Sequence, residues 1–587
     1  MQGNILEAAS SKHHAQSHQA AQASRGSPYK KKRLTKVPLY PFERHEVTVA
    51  CCNYHPAGHR SRNIFSMKLI YAVLLPFVLL VSYRSYRLIV NYAAARRLGV
   101  PIILLPVSFE DAWWTLLKPL FAWVQHLPWG LGLWYDYSDI GWPTEDGYKT
   151  VSRLGDLVTT YPPAIERIYK DTKTFIRPDP FTQIFAFYGQ NLTSQNGQGW
   201  QRHRKITAPA FNEQNMRYVW DELHNEHLRS DFELLAMHVL TAVGFGQDSA
   251  SLTSTPPGHR LTLMQALSFI LRHIFTTIIF GNIKIPDALL PSVLRQLKVA
   301  VAEFRLYMQE AVLQQMNQKG SKDRTSLLGA MVSANEAEKQ VQSEVPSSRA
   351  SYLTDDELYG NIFLFKVAGF ETTAVPYLAA YPEIQDWVRE EVDAVLPAKG
   401  TVDYAQTYPK LVRCLAVLYE TLRTAGHVAQ LVRAPSTTTM LPVPSDQPGG
   451  HAKTIAIEPN LLVSAHFHAL HLSPRWGPDS LEFKPQRFVA VAEDGSETLT
   501  VPQGDSAMYA AWSFSPIICP GKKFSQVEFV AVVAYILSRY RIEPHQEAGE
   551  TTEGARARLM GVLDDKYFNI STHLKRPEAA KVRFVKR

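Results

Sequence analysis

The chain has 587 residues, 45% apolar and 20% charged, which suits a large buried core and excludes a wholly disordered protein. Of its net charge of +8, +7 sits in the first 66 residues, where ten Lys/Arg face three Asp/Glu; the rest is close to neutral at +1, which excludes a basic nucleic-acid-binding core. Four cysteines (Cys51, Cys52, Cys414 and Cys519) are too few for a disulfide framework and point to a reducing compartment.

Residues 1–63 read as a basic, solvated arm, in which KKKR at Lys30–Arg33 could also serve as a targeting patch. The segment 64–83, containing MKLIYAVLLPFVLLVSY, approaches the ~20 apolar residues that cross a bilayer. It predicts a transmembrane anchor. Arg84, Arg87, Arg96 and Arg97 follow it and place the C-terminal side in the cytoplasm. No small-residue cleavage site marks it as a signal peptide. Met67 stands where such a chain would be expected to begin. Residues 84–137 form a linker and membrane-proximal segment. Its tryptophan-rich part, Phe109–Tyr137, suits a membrane interface and ordinary hydrophobic packing equally.

Residues 138–587 read as one large domain, mainly α with small β-sheets (α+β). Apolar residues at 3–4 spacing predict helices over Arg260–Phe280 and Ser292–Met316. Residues 317–351 are polar and loop-like around a short helical segment. Strands are expected near IAIEPNLLVSAH and at the C-terminus, with a turn-rich loop at Val443–His451. No internal repeat is present.

Five motifs carry chemistry. GWQRHRK sets Trp200 and Arg204 four apart, an indole and a guanidinium on one helix face, suited to a carboxylate or phosphate. AGFETT places Ala368, Gly369 and Thr372 on one face, small enough for something flat to approach, with Glu371 beside the hydroxyl to pass protons. YETLR sets Glu420 and Arg423 three apart as an intrahelical pair. WGPDSLEFKPQRF supplies Arg487 for Glu420. FSPIICPGKKFSQVEF puts Cys519 just ahead of a helix, whose first turn stabilises an anion; a thiolate there seeks an electrophile or a metal. Singly, each motif has a bland reading as surface or core.

In the order WxxxR, AGxETT, ExxR, PxRF, CPG, the motifs resemble the cytochrome P450 family of haem-thiolate monooxygenases, most closely its membrane-anchored fungal members. The resemblance runs from about Met67 to Arg587. It implies the cytochrome P450 fold behind an N-terminal transmembrane helix. It also implies haem b, with Cys519 as the axial thiolate ligand of the iron. Trp200, Arg204 and Arg433 would hold haem propionates. Ala368 and Gly369 would let the haem come close. Thr372 would hydrogen-bond the bound O2, with Glu371 in the proton path. Glu420, Arg423 and Arg487 would form an ion-pair cluster supporting the cysteine loop. Implied partners are O2, an apolar small-molecule substrate, the membrane and an NADPH–cytochrome P450 reductase, with no nucleic acid. The implied location is the endoplasmic reticulum membrane, single-pass, with the catalytic domain facing the cytoplasm. Fatty acid, terpenoid, polyketide and xenobiotic substrates remain equally open.

Three departures from the family pattern motivate further expectations. Ser515 stands where the family has glycine, at a cost of about 1 kcal/mol if that backbone is left-handed. Ile517 stands where it has arginine, removing a charge-assisted hydrogen bond worth roughly 1.5–3 kcal/mol. Pro376 follows AGFETTA, where an interior proline costs ~3 kcal/mol. They motivate a second reading, a haem-binding protein that no longer turns over. A third, a haem-thiolate isomerase or peroxygenase, is disfavoured by Glu371 and Thr372. Asn191-Leu192-Thr193 matches a glycosylation acceptor, discounted because it would face the cytoplasm.

Overall fold

The computed structural model describes residues 60–587 except 108–113, 115–116, 129–131, 133, 136–147, 152–155, 184–185, 226–240, 242–243, 245–253, 275, 278–285, 287–289, 318–325, 345–349, 369–373, 398–401, 427, 446–450, 502–505 and 569–571. Two compact units meet in sequence at Leu75 and Pro76. The described part of the first is the opening of helix α1, Arg60–Arg97. Among the described residues no helix is long and apolar enough to cross a membrane. The span expected over 64–83 is therefore not found. Side chains before Leu74 lie outside the described residues; from Leu74 to Val81 the large apolar side chains are exposed.

The second unit is mainly helical with small sheets. Its main sheet draws on both ends of the unit. The early strands are β1 (Ile102–Ile103), β2 (Tyr148–Val151), β3 (Asp156–Thr159) and β4 (Phe175–Ile176). Much later come β5 (Gln430–Pro435), β6 (Thr439–Val443), β7 (Lys453–Ile457) and β8 (Val463–His466). Six strands lie in the order β1-β2-β3-β8-β5-β4, while β6 and β7 form a separate hairpin. β3 pairs parallel with β8, Leu157 opposite Val463, and β8 pairs antiparallel with β5, Leu431 opposite Ala465. The expected strands of IAIEPNLLVSAH are β7 and β8, and C-terminal strand Tyr540–Pro544 pairs with Val582–Lys586.

The helices that frame the site are α2 (Pro162–Lys170), α3 (Gly197–Thr207), α4 (Glu213–Asn225), α5 (Leu263–Arg272), α6 (Ser292–Asn317), α7 (Leu327–Glu344), α8 (Asp355–Ala368), α9 (Ala374–Ala380), α10 (Pro382–Val395), α11 (Val412–Thr424) and α12 (Lys522–Arg539). α6 matches its expected span to one residue. α5 falls within the helix expected over Arg260–Phe280, of which residues 275 and 278–280 lie outside the described residues. It starts where Thr262 and Gln265 form a reciprocal capping box, which satisfies two orphan N–H groups. α7 is the helical segment expected within 317–351, and at 18 residues it is longer than expected. Its apolar face, Leu327, Leu328, Met331 and Val332, packs into the helical core and outweighs its polar composition. Pro376 lies in α9, which is described from Ala374; residues 369–373, through which the central helix would have to continue, lie outside the described residues. Asn191 is fully buried and its side-chain oxygen accepts from the Thr193 and Ser194 N–H groups, which rules out a glycan there.

α11 carries the ExxR motif, and its first turn is capped from outside. Glu391 on α10 accepts the Arg413 N–H at 2.7 Å and the Cys414 N–H at 3.0 Å. Burial pushes the Glu391 carboxyl up to about 7, more than those two bonds lower it. The folded state therefore holds this proton more tightly than the unfolded chain does. Its contribution is complete below the ordinary carboxyl range and is lost as pH rises toward 7. Urea midpoints measured from pH 4.5 to 8 should fall along that interval, and Glu391→Gln should flatten the slope. An unchanged slope in that variant rules the effect out.

Candidate active site around Cys519

The loop from Tyr509 to Gly521 links the two buried cores and delivers a thiol. Cys519 donates its N–H to the Trp512 carbonyl at 2.9 Å, closing the loop on itself. Gly521 then caps α12. Cys519 is open to the surface on one side and crowded by protein on the others. That crowding pushes its thiol up; the Gly521 N–H and the Arg204 guanidinium lower it without cancelling the effect. The helix terminus expected to make a thiolate is thus outweighed by desolvation. Only a coordinating metal, which deprotonates a thiol outright, would reverse the balance.

The loop departs from expectation in one detail. The left-handed residue is Ser513, at φ 61°, while Ser515 stays at negative φ. The strain assigned to Ser515 falls two residues earlier. Ile517 packs against the apolar core beside the sheet, filling with hydrocarbon the place where a cation was expected.

Cations reach the site from other elements. Arg204 on α3 donates to the Ile518 carbonyl at 3.3 Å, bringing the WxxxR helix beside the cysteine. Trp200, one turn earlier, is half-buried. Arg433 on β5 is buried; it donates to the Val432 carbonyl and lies 4.9 Å over the Tyr169 ring. Tyr169 in turn packs 5.9 Å from Phe514 of the cysteine loop. Arg177, beside Tyr169 and Arg433, donates to the Gln195 carbonyl at 2.6 Å. Burial lowers Arg177 to about 9, helped by the positive charge of Arg433, and burial lowers Arg433 as well. Among the described residues no carboxylate pairs with either guanidinium. A buried and a half-buried cation that repel each other and lack an anion form a receptor for one.

Behind the loop, Glu420 and Arg423 of α11 are both fully buried. Arg423 uses all five of its N–H donors. Nε and Nη2 reach the two Glu420 oxygens at 2.7 and 2.8 Å, and the others reach the carbonyls of His471, Ser480 and Glu482. Arg487 adds a bond to Glu420 at 3.2 Å and the Lys484 N–H adds one at 2.7 Å. From this cluster an aromatic column runs to the cysteine loop. Tyr419 and Tyr509 stack 5.0 Å apart, and Trp512 meets Tyr419 edge-on at 5.1 Å. His471 accepts the Ala510 N–H at 3.0 Å, and burial lowers it to about 3, which keeps it a neutral acceptor. The cluster thereby fixes the loop that presents the sulfur.

The structure thus brings together Cys519, Arg204, Arg433, Glu420, Arg423 and Arg487. Gly369, Glu371 and Thr372 lie outside the described residues, and only the backbone of Ala368, the end of α8, is described. Sequence reading missed Arg177 and Tyr169. FIRPDP carries no spacing that ties its arginine to any other motif.

The cytochrome P450 family model matches residues 156–567. The chain is 29% identical over 433 residues to cytochrome P450 monooxygenase 124 of Postia placenta, covering 68% of this chain and 78% of that protein. It is 25% identical over 589 residues to the phomenoic acid biosynthesis cluster cytochrome P450 monooxygenase of Leptosphaeria maculans, covering 85% and 95%. A crystal structure of a cytochrome P450 shares the fold at a TM-score of 0.51 and 19% identity, over 73% of this chain and 92% of that one. With its cysteine loop, buried ExxR cluster and matched span, the chain belongs to the cytochrome P450 family, whose members hold a haem iron through a cysteine sulfur.

Proposed function

We propose that the protein is a haem-thiolate monooxygenase that inserts one atom of O2 into an apolar organic substrate, with electrons from an NADPH–cytochrome P450 reductase. The observation that carries this is Cys519, a free thiol fixed by the Trp512 carbonyl and flanked by Arg204. The residues fit a haem. Cys519 would ligate the iron, while Arg204, Arg433, Arg177 and Trp200 would hold the propionates, which supply the negative charge the buried arginines lack. Bound there, haem supplies O2 activation, and thiolate ligation favours O–O cleavage. The chain's own part is to hold the sulfur, neutralise the propionates and exclude water. Thr372 and Glu371 would hydrogen-bond O2 and deliver protons beside it.

We further propose attachment to the endoplasmic reticulum membrane through 64–83, with the domain in the cytoplasm. The apolar run and the arginines after it support this. A far red-shifted Soret band in the carbon monoxide difference spectrum of the reduced, detergent-solubilised protein is the expected signature. Its absence after haem supplementation sinks the reading. A haem protein without turnover is the second reading, favoured by Ile517 in the apolar core; it predicts the band without product from any substrate.

Arg177 should matter to haem retention because the Ile517 position supplies no cation. Arg177→Gln removes a charge-assisted hydrogen bond worth roughly 1.5–3 kcal/mol. Haem transfer to a scavenging apoprotein should then be about tenfold faster or more. An unchanged transfer rate removes Arg177 from the propionate set.

A further inference from the structure

Asn361 sits on α8, two helical turns before Ala368. It is fully buried, and its amide is used on both sides. Oδ1 accepts the Leu192 N–H at 2.9 Å. Nδ2 meets His203 Nδ1 at 2.8 Å and the Glu357 carbonyl at 2.7 Å. Leu192 belongs to the loop before α3, and His203 lies on α3 between Trp200 and Arg204. One side chain therefore joins three segments.

The surroundings reinforce the junction. A Cβ on Gly360 would lie 2.3 Å from the Gly189 carbonyl oxygen, and one on Gly189 1.9 Å from the Asp356 carbonyl oxygen. The loop therefore rests directly on the α8 backbone. Arg202 pairs with Glu357 and donates to the Tyr352 carbonyl at 2.9 Å. Glu357 Oε2 accepts the Thr354 N–H at 2.9 Å, while Thr354 caps the Glu357 N–H. His203 Nε2 lies 3.5 Å from Glu357 Oε1, too far for a well-formed hydrogen bond. The capping box alone would start the helix. The placement of α8 against α3 is set by the Arg202–Glu357 pair near the surface and, in the buried interior, by Asn361 and His203.

We propose that Asn361, paired with His203, is a positioning residue. It fixes α8 against α3 and so sets the spacing between the proposed propionate-holding side chains Trp200 and Arg204 and the end of α8 at Ala368. This rests on the haem-thiolate reading. It uses no contact of Asn361 with haem or substrate. Removing either partner strands buried polar atoms and frees the two helices to shift. Small shifts of this kind are costly because a site tolerates little misplacement.

The test uses the full-length, haem-loaded chain and three variants: Asn361→Leu, His203→Leu and His203→Gln. Readouts are the ferric EPR spectrum, the rate of haem transfer to an apoprotein, and thermal unfolding. Both leucine variants should broaden the EPR lines and speed haem transfer roughly tenfold. His203→Gln should restore both, because its Oε1 can accept from the Asn361 amide. Two results overturn the proposal: leucine variants that unfold at lower temperature with EPR and haem transfer unchanged, or a glutamine variant that behaves like leucine. Should the wild-type chain give no thiolate spectrum, the haem reading fails on its own. Hydrogen exchange then decides. Asn361→Leu must deprotect 189–204, and unchanged protection there overturns the junction itself.

Discussion

Cys519→Ser is expected to abolish the far red-shifted carbonyl band while leaving the chain folded. A serine hydroxyl at this position is neutral and hard, and it offers none of the electron density of a thiolate. The rest of the proposed grip does not depend on sulfur: the Cys519 N–H bond to Trp512 uses the backbone, and Arg204, Arg433 and Arg177 would act on the opposite charge of the cofactor. Residual haem in the variant should show an unshifted band. Cys414→Ser is the control. That thiol is buried on α11 beside Glu391, away from the cysteine loop, and its loss should leave the band in place. A persistent band in Cys519→Ser would move the iron ligand elsewhere and overturn the assignment.

The second large effect is structural. Arg423→Ala should cost about 3–5 kcal/mol, because it leaves the Glu420 carboxylate buried without its main partner. It also strands the carbonyls of His471, Ser480 and Glu482. Arg423→Lys should recover only part of the loss, since an ammonium has three donors and no planar fork for Glu420. Glu420→Gln should be milder than Arg423→Ala, as the amide oxygen can still accept from Arg423 or Lys484. Urea unfolding of each variant, followed by the carbonyl band, measures the order. If Arg423→Ala unfolds with the wild-type midpoint, the cluster contributes nothing to the loop. The band should disappear before bulk helicity, because the aromatic column of Tyr419, Tyr509 and Trp512 transmits the damage to the cysteine loop first.

The site was legible in sequence where spacing alone fixes geometry. Three residues on a helix face guarantee that Glu420 can reach Arg423, and a cysteine two residues before a helix must lie at its N-terminus. Arg487, sixty-seven positions from Glu420, was found only because its motif has a fixed order. Arg177 was not legible, because its role depends on strand β4 bringing it beside Tyr169 and Arg433, a tertiary fact with no periodic trace. At Cys519 burial opposes the helix-terminus effect on which the sequence argument relied. Helix termini act over one turn, while desolvation depends on every neighbour. The length of helix α7 was underestimated for a similar reason: its polar composition concealed a narrow apolar face that finds a partner only in the folded core.

The interleaved sheet also bears on how the chain comes off the ribosome. β3 ends at Thr159, but its parallel neighbour β8 does not begin until Val463. At about 5–20 residues per second, the roughly 300 residues between them take on the order of 15–60 s to synthesise. During that interval one edge of β3 has no mate, and Leu157 and Val158, buried in the finished fold, remain uncovered on that side. The nascent N-terminal part is then a client for chaperones rather than an early-folding domain. Slowing translation should lengthen this exposed interval instead of helping the protein fold.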